Sequence, residues 1–233
     1  TGDLLDRLDV ADVVTFTGSA DTAAKLRVNP NVVRNSIPFN AEADSLNCAI
    51  LADDVSPDDE EFDLFVKEVV REMTVKAGQK CTAIRRAIVP RKHLDAVAEK
   101  IKARLAKVVV GDPSVEGVKM GALASKSQQS DVAERVAMLR QSAELVFGGD
   151  AHFNLVGEGV ANGAFFQPTL LLCQKPMSTD SIHDIEAFGP VSTLMPYDGM
   201  EEAMVLAKRV KGSLVGSLMT KTPALAAQVV PRL

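Results

Sequence analysis

The stretch "TVKAGQKCTAIRR", Thr74 to Arg86, sets Cys81 among four cations close in sequence: Lys76, Lys80, Arg85 and Arg86. A thiol attacks as its thiolate, and neighbouring cations or oriented backbone amides stabilise that form, so Cys81 is a candidate nucleophile. It can equally be a small core residue beside a strand, with the cations on a solvated surface. Glu42, in "FNAEADSLN", is an acid between apolar residues just before an expected strand, either a general base or a surface carboxylate in a turn. In "IEAFGPVSTL", Glu186 and Phe188 stand at one chain reversal, a corner suited to a ligand with hydroxyls and a flat ring, though turn chemistry explains Gly189-Pro190 as well. In "FTGS", Gly18 and Ser19 mark a strand-to-helix corner whose amides suit a phosphate, without the glycine density of a dinucleotide fingerprint.

The elements that must position these residues alternate between strand and helix periodicity, the pattern of an α/β protein with a parallel-type sheet and crossover helices. "DVVTFTGS" reads as a buried strand, "ADTAAKLR" as the helix after it, and "RNSIPF" and "NCAIL" as further strands. Ser56-Pro57 reads as the N-cap and first position of the longest helix, with Asp58 to Glu61 at the positive end of its dipole. Phe62, Phe65, Val66, Val69, Val70 and Met73 form its apolar stripe, and Gly78 is its expected stop. Downstream, "HLDAVAEKIKARLAKVVV" repeats the helix-to-strand pattern, with Leu94, Val97, Ile101, Leu105 and Val108 on one face. A helix in "SQQSDVAERVAMLRQSA" follows, then strands in "ELVFGG", "GAFFQPTLLL" and "FGPVSTLMPY", the last two broken by Pro. The helix "MEEAMVLAKRV" and the strand "GSLVGSLMT" come last, and 148–163 reads as an exposed, glycine-rich loop.

Composition narrows the function classes. The 233 residues are 46% hydrophobic and 24% charged, enough for a sizeable core and inconsistent with a disordered tail. A net charge of -5 and 4% aromatic content without Trp argue against a nucleic-acid partner, and no apolar run has the length of a membrane span. The acidic start "TGDLLDRLDV" has no secretory pattern, and Cys48, Cys81 and Cys173 suit reduced thiols, so a cytoplasmic location is expected. His93, His152 and His183 are too scattered for a metal site to be read.

In order and wording, "FTGS", a glutamate, "GQKC" and "EAFGPV" resemble the aldehyde dehydrogenase superfamily across essentially the whole chain. "FNAEADSLN", "VVREMTVKAGQKCTAIRR" and "IEAFGPVSTLMPY" look like the branch that acts on CoA-thioester semialdehydes in aromatic-compound breakdown. The resemblance implies the tail of a Rossmann-like cofactor domain over 1–44 and an aldehyde dehydrogenase-like catalytic domain over 45–233. It implies that Cys81 attacks an aldehyde, with the branch pointing to a CoA-linked semialdehyde, and that its amide forms half of an oxyanion hole. It further implies that Glu42 activates the water that splits the Cys81 thioester, that Glu186 holds the nicotinamide ribose, that Phe188 packs near the nicotinamide, and that Gly18 and Ser19 lie beside the cofactor phosphates. The resemblance also implies NAD or NADP as the cofactor, with the branch suggesting NADP, and a homo-oligomeric parent protein.

Departures from the family pattern are informative. "EADSLN" stands where most of the family has Glu-Leu-Gly-Gly-Lys, and anchoring on Asn47 would put Asn40 at the base position. Glu42 is kept because an amide cannot accept the proton. Ala23 stands where Gly is common after "FTGS". The family's remaining cofactor-domain and C-terminal segments find no counterpart in the sequence, so a piece of a longer protein with an incomplete cofactor site, inactive alone, is expected. A CoA-acylating dehydrogenase, in which a thiol replaces water, and a non-catalytic binding or assembly module of the same fold are the alternatives.

Overall fold

The apolar stripe of the longest helix shows how the fold is put together: Phe62, Phe65, Val66, Val69 and Met73 are all buried along one side of it. Each such side chain contributes about 1.5–3 kcal/mol when fully removed from water. The structure, a computed structural model, describes residues 3–149, 153–210 and 212–233. The chain divides into two compact units, Thr1–Ser45 and Leu46–Leu233.

In the first unit, strand β1 (Val14–Gly18) leads into helix α1 (Ala20–Arg27), then helix α2 (Pro30–Arg34) and strand β2 (Phe39–Ala43). The two strands pair in parallel, with Thr17 opposite Glu42. Leu5, Val32 and Ile37 form the small core under them. Two expectations need correction. β1 is half to fully exposed along its length rather than buried, because only a small apolar cluster backs this two-stranded ladder. "RNSIPF" is not a strand: Asn29 caps α2 through its side chain with Pro30 in the first turn, so Arg34 closes a helix. Ser36 then turns at a φ of 50° and the strand begins only at Phe39, so Glu42 lies within β2 instead of ahead of a strand.

The second unit begins with β3 (Cys48–Leu51), α3 (Glu60–Thr74), β4 (Arg86–Pro90), α4 (Leu94–Leu105), α5 (Lys126–Leu139) and β5 (Glu144–Phe147). It continues with β6 (Thr169–Leu172), α6 (Ser181–Asp184), β7 (Val191–Tyr197), α7 (Met200–Lys208), β8 (Gly216–Met219) and α8 (Pro223–Val229). Six strands form one sheet in the order β5-β6-β7-β4-β3-β8, parallel except for β5 at one edge. Side-chain alternation sends Ala87 and Val89 to the face covered by α3 and α4, and Ile88 to the face carrying the α5 residues Val132 and Val136 and the α7 residue Leu206. The sheet is therefore buried on both sides, as parallel sheets require.

Three local readings differ here. Helix α3 starts at Glu60, since the Asp59 carboxylate accepts the Ser56 N–H at 2.7 Å and folds Ser56-Pro57 into a turn ahead of the helix. It stops at Thr74, not Gly78, because Lys76, Ala77 and Gly78 all take left-handed backbone angles. "KVVV" forms only a one-residue bridge from Val110 to Met120, because the neighbouring residue Gly111 turns to pair with Val156 instead. The Thr169–Leu172 strand begins directly after Pro168, which has no N–H to give a ladder. No helix among the described residues is long and apolar enough to cross a membrane.

Candidate active site

Cys81 lies on a turn five residues ahead of Arg86, the first residue of the central strand β4, and is exposed, whereas Cys48 and Cys173 are buried. The turn is held from beneath by Asn47, which is 1% exposed at the entrance to β3. Its Nδ2 donates to the Cys81 carbonyl at 2.8 Å and to the Ala83 carbonyl at 3.1 Å. Its Oδ1 accepts the N–H groups of Leu214 and Val215, both at 2.9 Å, and its own carbonyl accepts the N–H groups of Arg85 and Arg86. The buried side-chain amide thus satisfies four backbone groups in two segments, 81–83 and 214–215, that lie outside the strands.

On the N-terminal side, the left-handed run Lys76-Ala77-Gly78 reverses the chain between α3 and Cys81. A non-glycine residue in that region costs about 1–2 kcal/mol. At Gly78 nothing larger fits: a Cβ would lie 2.1 Å from the Gly189 carbonyl oxygen. The segment before Cys81 therefore packs backbone to backbone on the loop that carries Glu186 and Phe188. Gln79 ties the same two loops, donating to the Phe188 carbonyl at 3.2 Å and to Gln128 at 3.0 Å while accepting the Ala124 N–H at 2.8 Å.

Of the four cations near Cys81 in sequence, three have their charged groups engaged elsewhere. Lys80 pairs with the buried Glu72 at 2.7 Å. Arg86 is fully buried and donates to the carbonyls of Leu46, Leu206 and Ala207. Arg85 is buried too, and donates to Glu186 Oε1 at 3.1 Å, to the Gly189 carbonyl at 2.7 Å and to the Gly78 carbonyl at 2.8 Å. Only Lys76 is exposed. The solvated-surface reading thus fails for both arginines. Burial pushes the Arg85 guanidinium down, and the charge and hydrogen bond of Glu186 oppose that shift; a guanidinium keeps its proton at neutral pH. Its plane also lies over Phe188, 5.3 Å from the ring centroid.

Glu186 and Phe188 are accordingly brought together with the Cys81 segment through Arg85, Gln79 and Gly78. Gly18, Ser19 and Glu42 belong to the other unit. There, Glu42 and Asn40 share the exposed face of β2, so strand alternation presents both sequence candidates for the base on one side. Ser19 caps α1, its Oγ accepting the Thr22 N–H at 3.2 Å, and Asp44 accepts the Ala20 N–H at 3.1 Å. Among the described residues no group of three or more His, Cys, Asp or Glu side chains is placed to hold a metal ion; His152 lies outside those residues. Asn47 and the clamping role of Arg85 escaped sequence reading, although Arg85 and Gln79 both lie inside the stretch that singled out Cys81.

An α/β unit with a mostly parallel sheet, a cysteine on a turn ahead of a central strand and an acid-aromatic corner locked against it define the class. The chain belongs to the aldehyde dehydrogenase family, whose sequence model matches residues 1–233. Over 229 residues it is 51% identical to 3,4-dehydroadipyl-CoA semialdehyde dehydrogenase of Aromatoleum evansii, covering 98% of this chain and 44% of that protein. The NAD-dependent aldehyde dehydrogenase of Sinorhizobium meliloti superposes with a TM-score of 0.83 at 26% identity, covering 100% of this chain and 43% of that one. The Mycobacterium tuberculosis aldehyde dehydrogenase complexed with NAD+ superposes with a TM-score of 0.80 at 27% identity, covering 95% and 43%. The chain thus spans less than half the length of these relatives.

Proposed function

We propose that this chain carries the nucleophile and base of an NAD(P)-dependent aldehyde dehydrogenase that oxidises an aldehyde, a CoA-linked semialdehyde by the 51% identity, to a carboxylic acid. The observation that carries the reading is the exposed Cys81 thiol on a turn braced by Asn47 and locked to the Glu186–Phe188 corner. Residues 1–44 are read as part of a cofactor domain and 45–233 as the catalytic domain.

In this reading Cys81 Sγ adds to the aldehyde carbon, and the Cys81 N–H stabilises the oxyanion of the thiohemiacetal. NAD(P)+, when bound, supplies the acceptor for the hydride that leaves this carbon. Cys81 then holds a thioester, and Glu42 takes a proton from the water that attacks it. The acid departs and the thiol is restored.

The chemistry of the corner fits the nicotinamide half of the cofactor. Glu186 is an acceptor for ribose hydroxyls, held in place by Arg85, and Phe188 is a flat apolar wall. Gly18 and Ser19 would lie beside the phosphates, where Asp44 must release the Ala20 N–H for an anion to take it. A homo-oligomeric, cytoplasmic parent enzyme accords with the family, the acidic charge and the three free thiols.

The test is the full-length protein with NAD+ or NADP+ and a CoA-linked semialdehyde, read by reduced-cofactor absorbance. Cys81→Ala abolishes the signal. Glu42→Gln leaves a stalled acyl-enzyme, seen as one added acyl mass on the protein. Turnover by the Cys81 variant, or unchanged acid formation by the Glu42 variant, overturns the assignment of that residue.

A further inference from the structure

Arg85 touches both loops of the corner through all three of its guanidinium nitrogens. We propose that Arg85 is a positioning residue for cofactor binding: its buried guanidinium fixes the Glu186 carboxylate, and with it Phe188, in the arrangement that receives the nicotinamide ribose. The proposal rests on the reading of Glu186 as the ribose acceptor.

Three features carry it. First, the fork geometry is matched: Nε serves Glu186, one terminal nitrogen serves Gly189 and the other serves Gly78, at 2.7–3.1 Å. A lysine, with a single nitrogen, cannot span three acceptors in one plane. Second, the pair is dry, with the two side chains 3% and 8% exposed. Little water competes for the carboxylate, so its orientation is set before a ligand arrives, and preorganisation of this kind lowers the ordering cost of binding. Third, the guanidinium lies over the Phe188 ring, so one group fixes both the acidic and the aromatic side of the corner. An ionised carboxylate has about four lone-pair sites, so holding Arg85 and accepting from a diol are compatible.

Arg86 serves as the contrast. It is the adjacent residue and equally buried, yet it donates to the carbonyls of Leu46, Leu206 and Ala207 and to His183 Nδ1 in the core. Of the two neighbouring arginines, only Arg85 faces the corner.

The experiment is a double-mutant cycle in the full-length enzyme with Arg85→Lys, Glu186→Gln and the pair. Three quantities are measured: NAD(P)+ dissociation constants by calorimetry, the rate of Cys81 alkylation by iodoacetamide without cofactor, and the thermal midpoint. Arg85→Lys is expected to weaken cofactor binding about tenfold, with the alkylation rate close to that of the parent. In the Glu186→Gln background the same change has little further effect, since Arg85 acts through Glu186. An unchanged dissociation constant, or the same loss in both backgrounds, overturns the proposal. If Arg85→Lys does not fold, the Arg85 Nε–H resonance of the unmutated enzyme decides: it shifts on addition of NAD(P)+ if the proposal holds, and an unmoved resonance overturns it. A wild-type enzyme that binds neither NAD+ nor NADP+ refutes the functional reading itself, before any variant is compared.

Discussion

The Asn47 carboxamide donates to the carbonyl of Cys81 at 2.8 Å, across 34 residues of sequence. This bond fixes the height of the thiol-bearing turn above the sheet, because the same amide also accepts two N–H groups ahead of β8. Replacing Asn47 with Ala leaves several buried backbone groups without partners, and the expected loss of stability is about 3 kcal/mol or more. Asn47→Asp is also destabilising: a carboxylate accepts from Leu214 and Val215 but has nothing to donate to Cys81 and Ala83. Urea unfolding of both variants checks this, and an Asp variant as stable as the parent would show that the two donated bonds contribute little.

Exposure separates the three thiols. Cys81 is exposed, Cys48 is 5% exposed and Cys173 is 1% exposed. Burial also pushes the Cys48 thiol up, with Arg86 opposing, which lowers its thiolate fraction further. In the native state iodoacetamide is expected to modify Cys81 at least about tenfold faster than either of the others. Peptide mass mapping after partial labelling reads the order. First modification at Cys48 or Cys173 would mean that this fold opens locally before Cys81 reacts.

Much of the scaffold could be read from the sequence because its signals are local. The α3 stripe from Phe62 to Met73 follows helical spacing, and "NCAIL" becomes β3 because an unbroken apolar run suits a strand covered on both faces. The helix limits were misread where side chains outweigh propensity: Asp59 folds Ser56-Pro57 into a turn, and Asn29 with Pro30 starts a helix inside what looked like strand approach. The candidate site was legible as residue types but not as partners. Arg85 and Arg86 look alike in "TAIRRAIVP", and only the fold sends one to the Glu186 corner and the other into the core. Asn47 gave no signal because the partners of its side-chain amide arrive by folding, from residues 81 to 83 and 213 to 215.

Backbone strain sits five residues before the nucleophile. Lys76 is exposed and left-handed, at φ 52° and ψ 32°. Asn tolerates that conformation far better than Lys. Lys76→Asn is therefore expected to stabilise the protein by about 0.5–1 kcal/mol, measured as a higher urea midpoint with an unchanged slope. A loss of stability would show that the Lys76 side chain holds the reversal through contacts of its own. Gly78→Ala goes the other way, since its Cβ would meet the Gly189 carbonyl.

In the first unit, Asp44 holds the N–H of Ala20 at the start of α1, at a φ of 38°. Asn keeps both the left-handed turn and an oxygen acceptor but removes the charge. If the cofactor phosphates lie at this corner, Asp44→Asn strengthens NAD(P)+ binding to the full-length enzyme by about threefold, by removing a negative charge from the positive end of the helix. The gain shrinks as salt is raised. Calorimetry at two ionic strengths reads both effects, and an unchanged affinity places the phosphates away from α1.

His183 gives the fold a defined response to acid. The ring is 2% exposed, with Nε2 3.0 Å from the Pro176 carbonyl and Nδ1 3.3 Å from the Arg86 guanidinium. A carbonyl only accepts, so Nε2 carries the hydrogen and Nδ1 accepts from Arg86. A second proton would have to enter between His183 and Arg86. Burial pushes the His183 pKa down, as do Arg86 and Arg209, while the Pro176 hydrogen bond and Asp184 oppose them. The unfolded chain protonates at about pH 6.5, above the folded value, so below that pH the unfolded state binds more protons and stability falls as pH falls. One such group gives a slope of at most about 1.4 kcal/mol per pH unit. Urea midpoints taken from neutral pH downward should therefore decline, and His183→Gln should flatten the decline. The residual slope belongs in part to His93, which burial and Lys92 also push down. If His183→Gln leaves the whole slope in place, the Arg86–His183 contact contributes nothing to the acid response, and His93 and the carboxylates must account for it.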